Sequence, residues 1–340
     1  MLRFILIAIV VLCIAVAGAY EWQLAKFSAP GPLAANKAKE TVVLIRPGTR
    51  VKGIAETLLA ANVIDSPEVF QIGVRLNGAS DKLKAGEFAI PSRASMYDIM
   101  QILIAGKTIA HKITAAEGLT SDMIARLVNK DKVLTGEPVA VPAEGTLLPE
   151  TYLFLRGDSR ADIIDRMTKA QEKLIARLWP KRDKNLPYKT VAEAIILASI
   201  VEKETSLASE RRHIAAIFVN RLRLGMKLQS DPTIIYSITG GYPLGRGIRA
   251  SELARVTPYN SYAVAGLPPT PICNPGEDAI AAVLNPGESK DLYFVASGTG
   301  GHYFSATIAE QERHVAELRA RERIQKTGRI AIPTPPVPHL

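Results

Sequence analysis

"TVAEAIILASIVEKET", Thr190 to Thr205, is the stretch on which the reading of this chain turns. It holds no glycine or proline, is rich in helix formers and has Thr190 placed to cap it, so one helix is expected here. At about 100° per residue, Glu202 falls on the line of Val191, Ile195 and Ala198, which is otherwise apolar. Glu204 falls on the line of Glu193, Leu197 and Ile200 and, two positions from Glu202, points away from it. Lys203 and Glu204 therefore read as the wet edge, and Glu202 as the charge drawn toward the protein body. Loss of hydration on an apolar stripe raises a carboxyl pKa. The negative end of the helix macrodipole, expected near Thr205-Ser206, acts in the same direction. A carboxyl that keeps its proton near neutral pH is what general acid catalysis requires. The alternative is a structural glutamate tied to Arg211, Arg212 or Arg221.

Working outward, Phe4 to Ala19 ("FILIAIVVLCIAVAGA") is an uninterrupted apolar run with Tyr20 and Trp22 at its far edge. A single membrane-spanning helix over 1–22 is the favoured reading, with the aromatic pair at the interface. A cleavable signal peptide is the rival, because Ala17-Gly18-Ala19 resembles a cleavage site. Residues 23–40, Ala/Pro/Gly/Lys-rich and without period, read as a linker. From Thr41 the order is strand to Ile45, a Pro47-Gly48 turn, a helix to about Asn62, a helix near Pro67–Leu76, a strand at "AGEFAI" and a helix opened by Ser95. That βααβ outline over 41–110 resembles a LysM-like module. "VLIRPGTRVKGIAETL" and "ITAAEGLTSDMIARLV" echo one another seventy positions apart, with Gly48/Gly118, Ile54/Ile124 and Ala55/Ala125 in register; duplication and chance both account for it. Residues 111–326 mix helices and strands irregularly, without a βαβ alternation, so the class is α+β: a transmembrane helix, a small LysM-like subdomain and a larger mixed α/β catalytic domain. The tail, 327–340, is Pro-rich and expected to be disordered.

The 340 residues carry a net charge of +9, which permits attraction to lipid headgroups or an acidic wall polymer. No Lys/Arg block interleaved with aromatics stands out, which argues against nucleic acid. The two cysteines, Cys13 in the apolar run and Cys273 in a Pro-rich loop, give no disulfide framework. The five histidines form no HExxH and no close His/Cys cluster, so neither a metal nor any other cofactor is expected. "GTGGH" at 298–302 lacks the Lys-Ser/Thr of a phosphate loop and reads as a tight hairpin with His302 on its rim.

Six ordered stretches resemble the endolytic murein transglycosylases, the YceG-like family: "EGTLLPETY" (Glu144–Tyr152), "LASIVEKET", "FVNRLRLGMKLQSDPTIIY" (Phe218–Tyr236), "TPYNSY" (Thr257–Tyr262), "GLPPTPICNPG" (Gly266–Gly276) and "LYFVASGTGGHYFSATIAE" (Leu292–Glu310). The resemblance implies an enzyme of the bacterial cytoplasmic (inner) membrane, single-pass, with its catalytic domain on the extracytoplasmic side. It implies cleavage of peptidoglycan glycan strands internally, between N-acetylmuramic acid and N-acetylglucosamine, leaving 1,6-anhydro ends. The family's catalytic glutamate falls on Glu202, the residue reached from the stripe. Penicillin-binding peptidoglycan synthases are the partners it suggests.

Gln229, Ser230 and Asp231 at a turn fixed by Pro232, with Tyr259, Asn260 and Tyr262, are candidates for holding the sugar chain. Each reads equally as a turn-maker or a buried polar anchor. Where family members commonly read S-P-Y-N-T-Y, this chain has Thr257 and Ser261, and an E-H-N type motif reads "EQE" at 310–312, with His314 close by. Two rival functions remain. An ordinary hydrolase of the same glycan needs a second carboxyl, such as Glu150 or Asp231, facing Glu202. A non-catalytic peptidoglycan-binding scaffold needs none.

Overall fold

The structure is a computed structural model and describes residues 2–328. In chain order its elements are α1 (Leu2–Ser28), β1 (Glu40–Ile45), α2 (Val51–Ala60), α3 (Pro67–Leu76), β2 (Gly86–Pro91), α4 (Met96–Ala105), β3 (His111–Thr114), α5 (Ser121–Lys130) and β4 (Thr151–Phe154). They continue with α6 (Arg160–Leu178), α7 (Val191–Glu204), α8 (Ala208–Arg223), α9 (Asp231–Thr239), α10 (Ala250–Ala254), α11 (Glu277–Leu284), β5 (Tyr293–Ala296), β6 (His302–Ser305) and α12 (Ile308–Gly328). The strands pair into two-stranded sheets, β1–β2, β3–β4 and β5–β6, so the architecture is the expected mixture of helix and strand. The chain divides into two compact units. One runs to Lys112 and includes Leu153–Asp158; the other comprises Ile113–Tyr152 and the chain from Ser159.

In the first unit β1 and β2 are antiparallel, from Glu40 opposite Pro91 to Ile45 opposite Gly86. Val43, Ile45, Phe88 and Ile90 line a core filled by Leu58, Phe70, Val74, Ile99 and Leu103 of the helices. Ser66 caps α3, and Ser95 and Asp98 form a capping box on α4, each satisfying amide groups that the first helical turn leaves unpaired. Glu87, almost fully buried on β2, meets Arg156 at 2.8 Å and His111 at 2.6 Å. The hydrogen bond from Arg156 leads in holding its carboxyl below the usual range.

Residues 23–40 are not all linker. Helix α1 continues to Ser28, Gln23 donates to the Val69 carbonyl at 2.7 Å, and the Phe27 ring is buried. The reason is Gly73 of α3: a β-carbon there would lie 2.4 Å from the ring, so only glycine lets Phe27 settle onto that helix. By contrast, the apolar side chains of α1 from Phe4 to Trp22 are exposed. The helix is long and apolar enough to cross a membrane: its 27 residues at about 1.5 Å each span roughly 40 Å against about 30 Å of hydrocarbon.

The second unit is built around α7, buried on every side from Ala194 to Val201. Thr190 and Glu193 form its capping box. Ile214, Ala215 and Phe218 of α8 and Ile280 and Val283 of α11 pack against Leu197, Ile200 and Val201. The boundary expected at 111 lies close to Lys112, but residues 153–158 group with the first unit. The "GTGGH" segment is the turn of the β5–β6 hairpin, closed by Ser297 donating to the Gly301 carbonyl at 2.7 Å. Gly48 and Gly118, the echoed turn positions, both have left-handed φ, +77° and +76°, where glycine carries no steric penalty. Of the expected Pro-rich tail 327–340, residues from 329 on lie outside the described part.

Candidate active site

Glu202 lies in the last turn of α7, half-buried, and its Oε2 accepts a hydrogen bond from the Gly276 amide at 3.0 Å. The loop carrying Gly276 is fastened to α7 through Ser199, whose Oγ accepts from the Ile272 amide at 3.0 Å. Asn274, fully buried, joins that loop to two others. Its amide oxygen accepts from the Leu147 amide at 3.0 Å, and its amide nitrogen donates to Ser121 Oγ at 3.0 Å and the Leu119 carbonyl at 3.2 Å. Its carbonyl accepts from the Gly118 amide at 3.1 Å. Lys203 donates to the Gly118 carbonyl at 3.2 Å. Glu202 thus stands where the end of α7, the 117–121 turn and the 270–276 loop meet.

Burial pushes the Glu202 carboxyl up; the Gly276 hydrogen bond opposes this, the charge of Glu117 reinforces it, and Arg211 and Lys203 oppose it. The three arginines that the sequence offers as partners for Glu202 are engaged elsewhere. Arg211 bonds Asp278 at 2.9 Å, Arg212 the Asn285 carbonyl at 2.9 Å, and Arg221 the Leu292 carbonyl at 2.6 Å. Arg211 Nε is buried without a partner.

Glu204 is not the wet edge. It is half-buried, and Ser230 Oγ donates to its Oε1. Burial pushes its carboxyl up to about 7, with Asp231 adding and Ser230 and Arg221 opposing. Around it gather most of the residues expected to hold sugar. Ser230 is buried, its amide donating to Ser261 Oγ at 2.9 Å. Gln229, exposed and at φ +53°, takes a hydrogen bond from Arg221 at 3.1 Å. Asp231 opens α9 and accepts from the Tyr262 hydroxyl at 2.7 Å. Tyr259 is half-buried, 2.8 Å from Thr270 through its hydroxyl and tilted against Tyr236. Asn260 is fully engaged: its amide nitrogen donates to the carbonyls of Leu253 and Arg255 and its oxygen accepts from the amides of Tyr262 and Ala263. Glu150 is exposed just ahead of β4, its carboxylate accepting from the Thr151 amide at 3.4 Å.

Two groups escaped the sequence reading. Glu117 is an exposed carboxylate seated against Gly276; its one signal was its place beside the echoed Gly118. Glu144 accepts from the Ser121 amide at 3.0 Å while its second oxygen is buried without a partner, and burial pushes its carboxyl up to about 7. It borders a groove of about 530 Å³ between Gln171 and Ile175 of α6, Val191 and Ile195 of α7, and Pro271. Val191 and Ile195 belong to the same α7 stripe as Glu202. Among the described residues no group of three or more His, Cys, Asp or Glu side chains could hold a metal ion, and both cysteines are free.

These features define an α+β protein with an exposed apolar N-terminal helix and a half-buried glutamate, its carboxyl pushed up by burial, at a three-way junction of buried polar contacts. The chain belongs to the YceG-like family, whose profile matches residues 43–317. It is 30% identical to the endolytic murein transglycosylase of Streptococcus pneumoniae (strain D39), over 92% of this chain and 65% of that one. It is 31% identical to the endolytic murein transglycosylase of Bacillus subtilis, over 81% of this chain and 84% of that one. The chain thus spans slightly less than two thirds of the streptococcal relative. A crystal structure of a putative YceG-like protein from Listeria monocytogenes is similar with a TM-score of 0.52 and 29% identity, covering 81% of this chain and 98% of that one.

Proposed function

We propose that this protein is an endolytic peptidoglycan lytic transglycosylase in which Glu202 is the single catalytic residue, acting first as acid and then as base. The observation that carries the proposal is a half-buried carboxyl, pushed toward its protonated form, at the end of the α7 stripe. The protonated carboxyl donates to the glycosidic oxygen between N-acetylmuramic acid and N-acetylglucosamine. The C1–O bond breaks and the N-acetylglucosamine side leaves with that proton on its O4. The muramic C6 hydroxyl then adds to C1, and Glu202, now a carboxylate, takes the hydroxyl proton. The 1,6-anhydro ring closes, Glu202 is again protonated, and the reaction consumes no water. The substrate's own hydroxyl replaces the second carboxyl that a glycoside hydrolase needs.

Nascent glycan strands are the proposed substrate. Gln229, Asp231, Tyr259 and Tyr262 present polar and flat groups to one stretch of sugar. Ser230 and Asn260 hold the loops that carry them. The groove beside Glu144 and Gln171 offers a second stretch both hydrogen-bond acceptors and apolar walls. The first unit's βααβ order fits a LysM-like module that keeps hold of the glycan, with the catalytic domain beginning near residue 111. Helix α1 is proposed as an uncleaved single-pass anchor in the bacterial cytoplasmic membrane, with the remainder on its outer side near penicillin-binding synthases.

The test is mass spectrometry of muropeptides released from peptidoglycan by the wild type and by Glu202→Gln. Anhydro ends, one water lighter than reducing ends and absent from the variant, are the expected result. Reducing ends would mean a hydrolase. Retained glycan binding with no product from either protein would mean a scaffold.

A further inference from the structure

Glu202 is not the only carboxyl at the junction. Gly276, whose amide donates to Glu202 Oε2 at 3.0 Å, has no room for a side chain. A β-carbon there would fall 1.7 Å from Glu117 Oε1 and 2.3 Å from Glu117 Cδ. With ordinary backbone bond lengths, these distances hold the two carboxyl groups within roughly 7 Å of each other, one on either side of a single glycine. Gly118, next to Glu117, approaches Glu202 as well: a β-carbon on it would lie 3.7 Å from Glu202 Cγ. The chain around both groups is fixed by Asn274, Lys203 and the left-handed turn at Gly118, so the proximity is set by the fold.

We propose that Glu117 is a positioning residue for the reaction: its carboxylate, seated on Gly276 beside Glu202, adds to burial in keeping Glu202 in the protonated form that begins each cycle. The inference rests on Glu202 being the catalytic acid. Every charged group facing Glu202 has a place in it. From α7, Lys203 favours the carboxylate but also holds the Gly118 carbonyl; from α8, Arg211 favours it but is engaged by Asp278. The 270–276 loop contributes the Gly276 amide, which also favours the carboxylate, and the thiol of Cys273, which burial keeps protonated. Against these, the 117–121 turn brings the one negative charge, Glu117. Removing it leaves burial alone against the groups that favour ionisation, so Glu202 then loses its proton at lower pH. Two carboxyls this close would also suit a hydrolase, in which Glu117 would activate a water. The identity of the product ends separates that role from the one proposed.

The experiment is the pH profile of kcat/KM for muropeptide release by the full-length protein in detergent. Wild type is compared with Glu117→Gln, Glu117→Asp and Glu202→Gln. Glu117→Gln should keep the acid-side rate and the anhydro ends while its alkaline limb moves to lower pH, a loss of roughly two- to five-fold on that limb for charges this far apart in a partly solvated gap. Glu117→Asp, which keeps the charge, should restore the limb. A Glu117→Gln profile superimposable on wild type, or lowered equally at every pH, overturns the inference and leaves the function standing. So does a folded Glu117→Gln protein inactive throughout, because Glu117 would then act on the substrate itself. Anhydro ends from Glu202→Gln overturn the function, and the inference with it.

Discussion

Asn274 makes the most demanding test of how the junction is built. Replacing it by alanine deletes the acceptor of the Leu147 amide and the donor to Ser121 Oγ and the Leu119 carbonyl. Leu147 is fully buried, so its amide loses its acceptor where water cannot replace it, at a cost of about 1–3 kcal/mol. The other two losses are milder. The Leu119 carbonyl still accepts from the residue 274 amide, and Ser121 Oγ still donates to the Ala143 carbonyl. At about 0.5–1 kcal/mol each, they bring the total to about 3 kcal/mol. For a urea slope of about 3 kcal/mol/M, the unfolding midpoint of the second unit falls by about 1 M. Trp179 fluorescence in a Trp22→Phe background reads that unit alone. Because the same amide fixes the turn behind Glu202, muropeptide release should fall at least tenfold under conditions where the variant is folded. A wild-type midpoint with wild-type release would refute the reasoning, since it would mean that these bonds neither hold the loops nor place Glu202.

Two further outcomes follow from the same contacts. Glu204 has its carboxyl pushed from 4.5 to about 7, so between those values the unfolded chain gives up a proton that the fold retains, and stability is lost as pH rises. Glu204→Gln removes this dependence and should gain about 2–3 kcal/mol on wild type between pH 4 and pH 8 in urea titrations; parallel curves would show that the carboxyl is not so held. Phe27→Ala should cost the first unit about 3 kcal/mol in thermal unfolding, because the ring fills the space that Gly73 leaves and meets Phe70 and Tyr97. An unchanged melt would mean that the end of α1 only rests on the unit.

What could be read from the sequence was whatever depends on neighbours along the chain. The Thr190 cap, the apolar stripe leading to Glu202, the helix starts near Pro67 and at Ser95 and the glycine turns at 48 and 118 are local, and they stand in the structure as their spacing implies. Glu204 was misread because a helical wheel assumes one wet face. Helix α7 has none between Ala194 and Val201, and Ser230, from a distant turn, closes over what looked like its exposed end. Phe27 looked like linker because its partner, Gly73, is a residue with no side chain to announce a contact. Glu117 went unnoticed for a related reason: its importance depends on the glycine at 276, and nothing in "AAEGLT" names that partner.

The two raised carboxyls of α7 differ in a way that bears on which can do chemistry. Glu204 accepts from the Ser230 hydroxyl, and the Ser230 amide is in turn bound to Ser261, so this carboxyl is tied into a buried network. Glu202 faces a backbone amide, which can only donate and therefore stabilises the carboxylate without competing for the proton. A single group that is acid in one half-step and base in the next needs both states within reach. Burial and Glu117 favour the proton, while the Gly276 amide, Arg211 and Lys203 favour the carboxylate. The junction sets these influences against each other on one carboxyl, whereas at Glu204 burial outweighs the groups that oppose it and leaves the carboxyl at about 7 inside a closed network. On the proposed mechanism that balance, more than burial alone, is what qualifies Glu202 for both halves of the reaction.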